Sequence, residues 1–249
     1  MQYATPNDDA AALLGTVAAS AEDPDYLAQN LVSENPARPA KLTSTSGTFT
    51  VTLPSSQTIV AAVLLYHNID AGVSVTINGN AITIPAARAD AWPSNASTTF
   101  SAASATWTLT IGANSQNISI GRLMLLTSLR TFARDIRWGD VTFAEMEGYG
   151  TIEMATELGV ETIYELEGPR RTLEAEIGAF DSQSADLQNL RRICGGRARP
   201  FLMISAHTNG TDPWIVRFVE GVGKRTYLMP AYSGFDWRVQ ECSRGLPWP

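Results

Sequence analysis

The chain has 249 residues, 44% of them hydrophobic, with 18 basic and 25 acidic side chains and a net charge of −7. That length holds one large domain or two ordinary ones, and the composition excludes global disorder. The negative charge excludes a whole-chain nucleic-acid reader, and no apolar run of about 18 residues is present to span a membrane as a helix.

Charge is unevenly spread. Residues 1–128 hold 8 acidic and 4 basic side chains, whereas 129–249 hold 17 and 14. Such a break predicts two domains, 1–128 and 129–249, with different neighbours. The start, Met1–Asp9, has no basic region, and the apolar Ala10–Ala19 follows two aspartates, so no secretory signal is expected. Residues 4–30 read as a lead-in.

Thr48–Leu53 alternates, with Phe49, Val51 and Leu53 on one face, as a half-buried strand does. Ile59–Tyr66 is continuously apolar and predicts a strand buried on both faces. Val73–Ile77 and Ala81–Ile84 flank Asn78-Gly79-Asn80, a hairpin signal because Asn and Gly tolerate positive φ. Arg88–Ser104 reads as a long loop. Thr106–Ile111 places Trp107, Leu109 and Ile111 inward. Ile118–Leu126 follows, with Gly121 marking a bulge where the inward phase slips. Short strands with polar turns predict an antiparallel, jelly-roll-like β-sandwich.

Beyond Ser128 an acidic stretch runs from Asp140 through Glu145, Glu147, Glu153, Glu157 and Glu161 to Glu167, without Lys or Arg. Gly148, Gly150 and Gly159 argue against one long helix there. Arg170–Ile177 alternates as a strand. A helix is expected over 182–194, capped by Asp181 or Ser182, with Leu187, Leu190 and Cys194 as its apolar stripe and Gly195-Gly196 as its end. Strands are expected at 200–204, 214–219, 225–228 and 236–242. The second half thus reads as a small β-barrel or sheet with one packed α-helix, and the chain as mainly β.

No catalytic constellation stands out. His67 ends a buried strand and His207 sits in a polar loop. Cys194 and Cys242 fit neither a disulfide framework nor a zinc motif. No Asp-x-Asp-x-Asp spacing indicates calcium. The reading is non-enzymatic, with no catalytic residue, metal or cofactor. Tyr66, Trp92 and Asn95 are the candidate ligand-binding residues, for a sugar or a partner loop. The acidic residues Asp140 to Glu161 form either a solvated face or the wall of a channel past which polyanions slide.

The segments Ala18–Leu31, Phe49–Leu53 and Val60–Asn68 resemble discoidin-like, galactose-binding-like domains of phage tail proteins. Arg170–Leu173, the helix to Gly196, and Gly196-Arg-Ala-Arg-Pro-Phe-Leu202 resemble the tail-tube-like domain of distal tail and baseplate proteins of long-tailed bacteriophages. Many distal tail proteins carry the lectin-like domain after or inside the tube-like part; here the sandwich comes first. The resemblance implies a structural virion component, made in the host bacterial cytoplasm and resident in the tail. It implies a homo-oligomeric ring, expected sixfold, that continues the tail tube. Its partners would be the tail tube protein and the baseplate hub and fibre proteins, with DNA passing through the lumen and no membrane contact. The alternative class is a carbohydrate-binding module reading host surface glycans through the sandwich.

Overall fold

In the computed structural model, the described residues are 2–33, 38–86, 94–131, 144–155, 161–180, 188–195, 199–204, 213–218, 225–229 and 232–241. Cα packing divides the chain into two compact units, Met1–Thr131 with Leu202–Trp214, and Phe132–Phe201 with Ile215–Pro249. The chain therefore returns to its first unit late: Leu202–Trp214 belongs with residues 200 positions earlier rather than with its sequence neighbours.

The first unit is built on β4 (Gly47–His67) and β7 (Ser94–Ile111), paired antiparallel along most of their lengths. The sheet runs β3 (Ala40–Lys41), β8 (Ser119–Leu126), β4, β7, β5 (Val75–Ile77), β6 (Asn80–Ile82), with β2 (Thr16–Ala19) on the start of β4. The β4–β7 ladder breaks between Thr52 and Gln57, and the halves on either side feed one core. Phe49, Val51 and Leu53 enter it from one half, and Ile59, Ala62 and Leu64 from the other. Trp107, Leu109 and Ile111 enter it from β7. Alternation dictates this, since every second side chain of a strand shares a face. The mainly β, sandwich-type fold class is what the sequence predicts.

Ala61–His67 is buried at every position, so the apolar run is covered on both faces. The second face is met by the returning segment. β1 (Gln2–Ala4) pairs with Leu202–Ile204 of β12 (Phe201–Ile204) and with β9 (Arg130–Thr131). The inward phase slips at Gly121 as expected, from Ile118 and Ile120 to Leu123 and Leu125, but without the expected bulge, because the β4–β8 register is unbroken there. The partner of Gly121 on β4 is Tyr66, which lies between the pairs Leu65↔Arg122 and His67↔Ile120 and has φ +56°. Both strands change phase at one level, so the ladder continues. The β5–β6 hairpin turns on Asn78 and Gly79, at φ +45° and +81°, as a two-residue turn of this type requires.

Two expectations need correction. Residues 94–104 are not loop; they are the first part of β7, paired with β4. Small and β-branched residues read there as polar linker, but on a long partner strand they supply an unbroken ladder, and Phe100 packs 5.7 Å from Trp107. Nor is the lead-in featureless. α1 (Ala10–Leu14) buries Ala10 and Ala11 in the main core and is capped by Asp9.

In the second unit β10 (Ala144–Ala155) and β11 (Glu161–Phe180) form a long antiparallel hairpin, β15 (Tyr232–Glu241) pairs with the far end of β11, and β14 (Arg225–Met229) and β13 (Pro213–Phe218) pair with β15. The hairpin register slips where Gly148 pairs Arg170 and Gly150 pairs Glu167. Gly168 and Pro169 occupy the extra length of β11, the position where a strand tolerates proline. Helix α2 covers 188–193 of the expected 182–194; Asp181–Leu187 lie outside the described residues. Gly195 ends it at φ +59°. Leu190 and Cys194 are buried, at 1% and 0% exposure. We expect Leu190→Ala to cost about 2–5 kcal/mol, the range for a fully buried leucine. Chemical denaturation with a wild-type midpoint would show that this face does not pack.

Candidate functional site

Among the expected ligand residues, the structure brings Tyr66 and Asn95 together. The Tyr66 N–H donates to Asn95 Oδ1 at 2.8 Å, and Asn95 Nδ2 donates to the Pro213 carbonyl at 2.9 Å. Both residues are buried, at 4% and 5% exposure. This is a structural clasp. It satisfies the backbone where Tyr66 takes a left-handed φ, a conformation costly for a non-glycine residue, and it fastens the returning segment to β7. The Asn95 amide is spent on backbone groups. Trp92 lies outside the described residues.

The acidic candidates fall on the hairpin or beyond the described residues. Asp140 and Glu157 lie outside them. Glu145, Glu147 and Glu153 lie on β10, paired with Leu173, Arg171 and Ile163 of β11, and Glu161 begins β11 opposite Ala155. β10 has β11 as its sole partner among the described residues, and Glu161–Arg171 of β11 has β10 alone.

Two further places on the first unit carry polar groups. At one end of the sandwich, Asn68, Asp70 and Asn114 cross-link the loops. Asn114 Oδ1 accepts from the Asp70 N–H at 2.8 Å, Asp70 Oδ2 from the Ser115 N–H at 2.9 Å, and Asn68 Oδ1 from the Ser119 N–H at 2.8 Å. Hydrogen bonds from Ser115 hold the Asp70 carboxyl below its usual range although it is exposed. On the second face, a pocket of about 280 Å³ is lined by Gln2, Ala61, Ser97, Thr98, Thr99, Leu129 and Ile204. It abuts a ladder irregularity in which Ile59 pairs Ala102 but Ala61 pairs Thr99. Periodicity gave no signal for this pocket, because its lining comes from segments up to 200 residues apart.

Nucleophile chemistry finds little support in the described residues. Burial pushes the Cys194 thiol up to about 11, with Arg199 opposing, so it is protonated at neutral pH. Burial holds His67 down to about 4, and its Nδ1 accepts from the Ile69 N–H at 3.2 Å. His207 and Cys242 lie outside the described residues. Among the described residues no three His, Cys, Asp or Glu side chains stand together as a metal site, and no helix is long and apolar enough to cross a membrane.

No protein-family model and no curated protein sequence matches this chain. Solved structures do. A chitosan-binding module from a Paenibacillus sp. IK-5 chitosanase/glucanase is 16% identical, with a TM-score of 0.39 over 48% of this chain and 98% of its own. The family 32 carbohydrate-binding module of C. perfringens NanJ, solved with galactose, is 12% identical, with a TM-score of 0.39 over 52% and 100%. A fucolectin from striped bass (Morone saxatilis) serum is 14% identical, with a TM-score of 0.38 over 48% and 47%.

Proposed function

We propose that this chain is a non-enzymatic structural protein. Its second unit joins copies of itself, and its first is a binding module. The observation that supports assembly is the β10–β11 ribbon. A two-stranded ribbon of this length is marginal alone in water, and the edge of β10, Ala144–Ala155, carries twelve residues without a second partner among the described ones. Adding a strand from another copy satisfies such an edge with main-chain bonds. Glutamates and the register slip at Gly148–Gly150 restrict the edge to a matched strand. Head-to-tail repetition of that contact closes a ring or runs on as a filament.

The setting we propose is the tail tip of a long-tailed phage, with the acidic β10–β11 ribbon lining a channel. It rests on the residue resemblance, and the solved structures above do not bear on it. A mass measurement across concentrations, followed by negative-stain imaging, tests the assembly. We expect an oligomer of defined size. Ile152→Pro and Glu153→Pro form the paired variant test, because adjacent N–H groups point to opposite edges of a strand: the one removing the outward donor should dissociate the oligomer. A monomer at every concentration sinks the assembly reading.

The second reading assigns carbohydrate to the sandwich. Its specific support is a hydroxyl-lined pocket on the second face of β4. Saturable binding on a glycan panel is the expected result, and its absence rejects this reading without touching the first.

A further inference from the structure

We propose that the pocket between Ser97, Thr99, Gln2, Leu129 and Ile204 takes a single neutral sugar ring. The inference rests on the carbohydrate reading and fixes its place and ligand class. Three observations carry it. Register puts Ser97 opposite Val63 and Thr99 opposite Ala61, so both hydroxyl residues belong to the second face of β4. They and Gln2 line one pocket with Ala61 as an apolar floor and Leu129 and Ile204 as apolar walls. Hydroxyl and amide groups beside aliphatic ones match a ring with hydroxyls at its edge and C–H groups on its faces.

The volume, about 280 Å³, is at the low end for a small-molecule site, so one ring fits and a long oligosaccharide does not. None of the described residues that line it is charged, which favours a neutral ligand over an anionic one, and none is aromatic. The β7 irregularity beside Thr99 is the kind of bulge that re-aims strand side chains next to binding sites.

The test uses the full chain with D-galactose, D-glucose and N-acetyl-D-glucosamine as neutral probes and D-galacturonate as the anionic control, read by calorimetry and ligand-observed magnetic resonance. We expect saturable binding of at least one neutral sugar and no gain for galacturonate over galactose. Ser97→Ala with Thr99→Val should weaken binding about tenfold, as loss of one or two net hydrogen bonds implies, and Thr99→Ser should retain it. Asp70→Ala, which is not among the lining residues, should bind as wild type. Wild-type affinity in Ser97→Ala/Thr99→Val, or loss in Asp70→Ala, overturns the pocket while leaving carbohydrate binding intact. Failure of every sugar, with wild-type thermal unfolding, overturns both.

Discussion

Asp9→Ala is expected to destabilise the first unit by about 3–5 kcal/mol, the usual cost of orphaning a buried charge. Asp9 is fully buried, and its Oδ2 accepts from Arg122 at 2.9 Å, with Arg122 side-chain exposure of 5%. Its Oδ1 accepts from the N–H groups of Ala11 and Leu125, each at 3.2 Å, and more weakly from Ala12. One carboxylate thus caps α1, bonds β8 and neutralises a buried guanidinium. Burial raises its pKa and Arg122 opposes that. The two single variants should differ in a telling direction. Arg122→Met leaves a carboxyl that can take up a proton and become neutral. Asp9→Ala leaves a guanidinium that cannot lose one. Asp9→Ala should therefore be the worse, and Asp9→Ala/Arg122→Met should cost less than the sum of the singles by at least about 1 kcal/mol. Additive denaturation midpoints would show that the pair is not coupled.

Stability should fall as pH drops below about 6.5, because His67 is buried neutral. Its folded value is about 4 against an ordinary 6.5, and burial is the cause. Below 6.5 the unfolded chain takes up a proton that the folded one refuses. The stability His67 confers is therefore complete above about 6.5 and is lost as pH falls. By pH 5 the loss is about 2 kcal/mol, and below 4 it approaches roughly 3 kcal/mol. Asp8, held down by Arg130 and Thr5 hydrogen bonds against its burial, is lost only at lower pH, beneath its ordinary 3.8. His67→Gln should flatten the curve between pH 6.5 and 4.5. Persistence of the same slope in His67→Gln would assign it to another group.

Local chemistry was enough for what depended on periods of two and on turn residues. Phe49, Val51 and Leu53, the double-sided burial of Ala61–Tyr66, the Asn78-Gly79 turn, the Gly121 slip and the Gly195 helix end all follow from side-chain alternation or from φ tolerance. Those are properties of a few adjacent residues, so they survive without knowledge of the rest. Pairing decided the remainder. Ser94–Ser104 reads as loop because small hydroxyl residues have little intrinsic preference, and only β4 alongside makes them a strand. The lead-in became structure through one carboxylate meeting Arg122, 113 positions away. Tyr66 and Asn95 look like recognition residues by type, yet the left-handed φ at Tyr66 and the acceptor at Pro213 turn them into a clasp. The pocket had no sequence trace at all. Gln2, Ser97, Leu129 and Ile204 are ordinary one by one, and their meeting depends on a chain return that pairs β1 with Leu202–Ile204. Which face of a strand is apolar can be read from the strand itself; what covers that face is set by segments that compete for it across the whole chain.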